Sequence, residues 1–176
     1  MIFLGDVAGL LVVFRNGRVL VAQIHLDDLL HVLIEVGQAL LDLAARLEEV
    51  RVTVVGAHLT GQPLNKQLTE RGARLLKSCK TAKDYRLYAL ANTTPPKPGL
   101  VREPGFQGPG IEVEVWGMPA QNLGSFLALI PAPLGLGTLT LDDGTTATGF
   151  ICEPAGLAGA KEITELGGWR AYLASR

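Results

Sequence analysis

Apolar and polar positions change period several times along this chain, and each change predicts a different element. Residues 10–22, "LLVVFRNGRVLVA", hold two β-branched runs on either side of Asn16-Gly17. That dipeptide is favoured in a type I′ turn because both central residues need positive φ, so a β-hairpin is expected. Over residues 25–49 the period lengthens. Leu26, Leu33, Leu40 and Leu47 recur at heptad spacing, Leu29, Val36 and Leu43 fill the seam between them, and Leu30 and Ala44 widen the stripe. Asp28, His31, Glu35, Gln38 and Asp42 lie opposite, which predicts an amphipathic helix with Gly37 as its internal weak point.

Val50, Val52 and Val54 return to strict alternation and predict a strand, which runs into the glycine-bordered stretch "GAHLTG" (56–61). "PLNKQLTERGARLLKSC" (63–79) spaces Leu64, Leu68, Leu75 and Leu76 as a helix that Gly72 ends or bends. "YRLYALA" (85–91) alternates as a strand, while 93–110 is too rich in proline for a central strand. "IEVEVWGMP" (111–119) is the clearest strand, with Ile111, Val113 and Val115 on one face and Glu112, Glu114 and Trp116 on the other. A short helix over 120–130, a Pro/Gly loop over 131–137, a second hairpin over 137–153 turning at Asp143-Gly144, and a closing helix over 163–174 complete the reading. The class is α+β: a mixed, mainly antiparallel sheet or small barrel with edge helices, preceded by a hairpin and one amphipathic helix. Two segments follow, residues 1–50 and residues 51–176.

Composition narrows the function. The chain has 176 residues, 48% of them hydrophobic, and a net charge of −1, so no basic stripe points to nucleic acid. The most apolar stretch, around 29–47, is interrupted by five polar or charged residues, and no membrane span is expected. The N-terminus lacks a basic region before its apolar run, so no secretory signal is read. Two cysteines, Cys79 and Cys152, require no disulfide framework, and a cytoplasmic setting is the expectation.

His58 is the candidate for chemistry, because it follows a buried strand in a loop bordered by glycines; the alternative is a turn histidine satisfied by backbone. No second histidine or cysteine stands at metal-ligand spacing, so neither metal nor cofactor is expected. Glu112 and Glu114 either face solvent or line an interior, where burial would raise a carboxylate pKa unless a cation pairs with it. Lys97 and Arg102 sit in a proline-stiffened loop suited to a small carboxylate, or simply exposed. Cys152 reads as a packed thiol.

Seven segments in order, "VVGAHLTGQPLNKQLTERGARLL", "TAKDYRLYAL", "PPKPGLVR", "IEVEVWGMP", "IPAPLGLGTLTLDDG", "GFICE" and "EITELGGWRAYL", resemble the C-terminal domain of allophanate hydrolases over about Arg51 to the end. The resemblance implies a γ-glutamylcyclotransferase-like fold, in which Gly56, Ala57, His58 and Leu59 stand where cyclotransferases place a ligand-gripping amide loop. Cyclotransferase chemistry itself is not expected, because no acid lies between Glu114 and Asp142. In allophanate hydrolases an amidase domain deaminates allophanate, and the C-terminal domain is thought to decarboxylate the product, N-carboxycarbamate, to carbamate. A chain of this length leaves no room for the amidase and carries no Ser-Ser-Lys signature.

Carried over to these residues, the resemblance implies a small dicarboxylate-like substrate held by the Gly56–Leu59 amides and Lys97. His58 would donate the proton, Glu114 would orient and charge His58, and Tyr85 would wall the site. A separate amidase is the implied partner, and the seam at 26–47 suits a homodimer. The competing readings are a non-catalytic small-carboxylate-binding or assembly module, and the remnant of a split gene.

Overall fold

A computed structural model of the chain describes residues 9–15, 18–24 and 26–176. They divide into two compact units between Leu47 and Glu48. In the first, β1 (Gly9–Arg15) pairs antiparallel with β2 (Arg18–Ile24) in full register, from Gly9 opposite Ile24 to Arg15 opposite Arg18. The turn expected at Asn16-Gly17 lies outside the described residues. Helix α1 (Leu26–Leu47) follows, with Asp27 and Asp28 in its first turn, where carboxylates complement the positive end of the helix dipole. His31 faces Glu35 one turn on, at 3.3 Å. The seam residues Leu26, Leu29, Leu33, Val36, Leu40 and Leu43 are all exposed.

In the second unit, β3 (Glu49–Val54) is formed by the alternating valines and lies at the centre of a five-stranded sheet. A short helix, α2 (Lys66–Thr69), stops at Gly72, which adopts φ +69° while Ala73 N donates to Leu68 O at 3.1 Å. From there the chain departs from the expected helix over 63–79. Arg74–Lys80 is a strand, β4, paired with β7 (Glu112–Pro119). Its register shifts between Leu75 and Lys77, and this bulge at Leu76 sets two leucines side by side. It thereby erases the alternation that marks a strand and imitates helical spacing.

β5 (Tyr85–Ala89) pairs with β6 (Pro98–Arg102), a strand within the stretch read as loop. β6 is an edge strand that opens with Pro98, the position and place in a sheet where a proline is tolerated. After β7 come α3 (Ala120–Leu127), β8 (Leu134–Thr140) and β9 (Thr146–Cys152), then β10 (Lys161–Glu162) and α4 (Trp169–Ala174). The large sheet runs β4-β7-β3-β9-β8, antiparallel except for β3 against β9, and the small one β10-β5-β6. The class is α+β with mainly antiparallel pairing, and among the described residues the sheets are open rather than closed into a barrel. β7 is buried from Val113 through Met118, because neighbours flank it on both edges and the core covers it. That core gathers Val52, Val54, Leu59, Leu68, Ile111 and Phe126 around the end of β3.

Candidate functional site

The loop after β3 winds into consecutive turns: Leu59 N donates to Gly56 O, Gln62 N to Leu59 O, and Leu64 N to Ala57 O, at 2.8–2.9 Å. Asn65 locks it by donating its side-chain amide to His58 O at 2.9 Å. Gly56 permits a close approach, but to the protein itself: a β-carbon at 56 would overlap Cδ and Cγ of Pro98. This contact brings the start of β6 against the loop and sets Lys97 beside His58.

Both line a cavity of about 30 Å³ with Gly56, Ala57, Pro131 and Phe150, a space suited to a ligand of few atoms. The His58 ring is caged by aromatics, stacked on Phe150 at 5.0 Å and edge-on to Phe126 at 5.3 Å. Its Nε2 lies 2.8 Å from Gln67 Oε1. With that oxygen as acceptor, Nε2 carries a proton and Nδ1 is the nitrogen that titrates. Burial holds the His58 pKa below its usual range. The Gln67 bond acts against this, and the nearby Lys97 cation adds to it. Burial likewise lowers Lys97, whose Nζ donates to Thr94 O and Pro95 O at 3.2 Å each. A weakly hydrated ammonium beside a neutral imidazole is a setting that attracts a carboxylate.

Gly56, Ala57, His58 and Lys97 therefore come together, and three other expected site residues do not. Leu59 is fully buried and its amide closes the turn onto Gly56 O, so it offers nothing to a ligand. Tyr85 is buried under the small sheet, where its hydroxyl accepts from Thr140 N at 3.0 Å. Glu114 does not orient His58. Its Oε1 accepts from Arg170 at 2.7 Å, and its Oε2 from Thr60 N, Thr60 Oγ1 and Trp116 Nε1 at 2.8–3.2 Å. Burial works to raise its pKa, but the Arg170, Thr60 and Trp116 bonds outweigh that and hold the carboxyl below its ordinary range. Arg170 also reaches Glu112 Oε1 at 2.7 Å and Thr60 O at 2.8 Å, so this cluster pins the far end of the loop to β7 and α4. Gln67 and Arg170 were not legible as site supports. Gln67 sits in a polar helical stretch, and Arg170 lies 56 positions from Glu114. Among the described residues no group of His, Cys, Asp and Glu is placed to hold a metal, and no helix is long and apolar enough to cross a membrane.

Residues 50–174 match the family described as allophanate hydrolase C-terminal domain. The urea amidolyase of Lachancea kluyveri is 43% identical over 72% of this chain, which spans only 7% of that protein. Among solved structures, the allophanate hydrolase of Kluyveromyces lactis aligns with a TM-score of 0.70 and 42% identity, covering 72% of this chain and 21% of that one. A uropathogenic E. coli-specific protein aligns with a TM-score of 0.66 and 30% identity, covering 73% of this chain and 98% of that one.

Proposed function

This chain belongs to the allophanate hydrolase C-terminal domain family, and from that membership we propose that it acts in urea degradation, decarboxylating N-carboxycarbamate released by a separate amidase. The observation that carries the reading is the caged His58 beside Lys97 in a small cavity, within a chain of this family. N-carboxycarbamate has two carboxylates on one nitrogen. Its C–N bond breaks with the electron pair remaining on nitrogen, CO₂ leaves, and the nitrogen takes a proton to give carbamate. Lys97 and the Ala57–His58 backbone hold the surviving carboxylate. His58 delivers the proton through Nδ1, while Gln67 and the two phenylalanines keep its ring in place.

The free site disfavours imidazolium, but a bound dianion favours it, so substrate itself charges the acid that it needs. The E. coli protein, whose solved chain this one covers to 98%, supports reading the domain as a unit that stands apart from an amidase. A cytoplasmic setting, suited to the free thiols Cys79 and Cys152, belongs to the same reading.

The experiment mixes this protein with an isolated amidase domain and allophanate, and follows carbamate and CO₂. Wild type should shorten the lifetime of N-carboxycarbamate, and His58→Ala should not. Equal time courses for wild type, His58→Ala and amidase alone would leave a binding or assembly module as the function.

A further inference from the structure

Two larger cavities continue from the His58 site. One, of about 220 Å³, shares Lys97, Pro131 and Leu134 with it. The next, of about 300 Å³, shares Leu90, Asn92, Thr93 and Thr94 with that one. Their shared walls set the three in a row, from His58 past the Asn92–Thr94 turn to Lys161 of β10, and we treat the row as one groove. Its charge is one-sided. Lys97, Lys161 and Arg176 line it, and no Asp or Glu does. The chain as a whole carries 17 acids against 16 lysines and arginines, so this segregation is local. Glu162, adjacent to Lys161, is tied up elsewhere, accepting from Arg86 at 2.8 Å and from Thr164 Oγ1 at 2.9 Å.

Midway, Asn92 adopts a left-handed backbone at φ 55°, which asparagine tolerates better than other non-glycine residues, and so turns the chain at the groove. Thr93 Oγ1 accepts from Lys97 N at 2.9 Å, so the turn also fixes the lysine at the junction of two cavities. Hydroxyl and amide side chains between two cations, with no Asp or Glu side chain to repel a ligand, form a surface that recognises small anions.

We propose that this groove binds small dianions and leads them to His58, with Lys161 as its outer cation and Lys97 as its inner one. The inference rests on the function proposed above for its physiological cargo, the dianionic amidase product. A positively lined groove raises the local concentration of such an anion and so raises its rate of capture. It also means that a short-lived substrate meets the protein over a longer surface than the 30 Å³ cavity alone.

The test titrates the isotope-labelled full chain with malonate at low ionic strength and follows backbone amides by NMR. Saturable shifts are expected at Asn92–Thr94 and Lys161 as well as at His58. Lys161→Glu should weaken malonate about fivefold or more, Lys161→Met less, and added salt should narrow the difference. Shifts confined to His58 and Lys97, with Lys161→Glu binding as wild type does, would overturn the groove. The amidase-coupled comparison of wild type with His58→Ala separates the two readings. If that pair is indistinguishable from each other and from amidase alone, the decarboxylase reading fails while the malonate titration still decides the groove. If Lys161→Glu is silent, the groove fails and the His58 comparison stands.

Discussion

Gly56 and Pro98 meet so closely that the space where any other residue would carry its β-carbon is filled by the proline ring. One contact between the end of β3 and the start of β6 thus sets His58 and Lys97 on the same cavity. Gly56→Ala should cost about 1–3 kcal/mol in urea denaturation through overpacking. It should also reduce the His58-dependent rate, because Lys97 moves with Pro98. Adding Pro98→Ala should restore part of both. A double variant no better than the single would assign the loss to backbone freedom instead.

Glu114 serves the loop rather than the imidazole. Glu114→Ala leaves Arg170 with Glu112 as its one carboxylate and strands the Thr60 and Trp116 donors, so it should cost about 2–3 kcal/mol, moderated by the partial exposure of Arg170. Because the folded carboxyl titrates below its ordinary range, its contribution is fully present above the unfolded glutamate pKa and lost as pH falls through the folded value. The stability gap between wild type and Glu114→Gln should therefore close in acid, as read by denaturant midpoints across pH.

His58 should titrate below 6.5 in the free protein when followed by NMR. Gln67→Ala should lower that value further, since the Gln67 bond favours the charged ring, and Lys97→Met should raise it. Saturating malonate should raise it as well. The catalysed part of the decarboxylation rate should then fall as pH rises through the His58 pKa of the complex. A flat profile would remove His58 from the proton transfer.

Helix α1 leaves Leu33 and Leu40 about 60% and 62% exposed, along with Leu26, Leu29, Val36 and Leu43 of its heptad seam. Exposing such a stripe costs on the order of 1.5–3 kcal/mol per side chain, and its regular spacing matches a second copy of the same helix. Light scattering on the full chain should report a dimer, and Leu33→Glu with Leu40→Glu a folded monomer. A wild-type monomer at high concentration would exclude self-pairing.

Local pattern was enough to read the elements whose sequence keeps a single period of apolar and polar positions. The valines of β3, the alternation in β7, the heptads of α1 and the hairpin around Asp143-Gly144 needed no knowledge of neighbours, because the spacing itself selects helix or strand, whichever face is finally covered. The glycine-histidine loop was legible as a candidate site for the same reason: strand propensity ends there, and glycine allows a turn.

What only tertiary structure decided is whatever depends on a distant partner. β4 is a strand because β7 offers it an edge, and the Leu76 bulge hides that from any periodicity. Gly56 is required by Pro98, 42 positions on, rather than by a ligand. Glu114 spends its oxygens on Arg170, Thr60 and Trp116, leaving His58 to Gln67. A buried charge or ring nitrogen takes whichever partner the packed chain brings within hydrogen-bond reach, and linear spacing does not encode that choice.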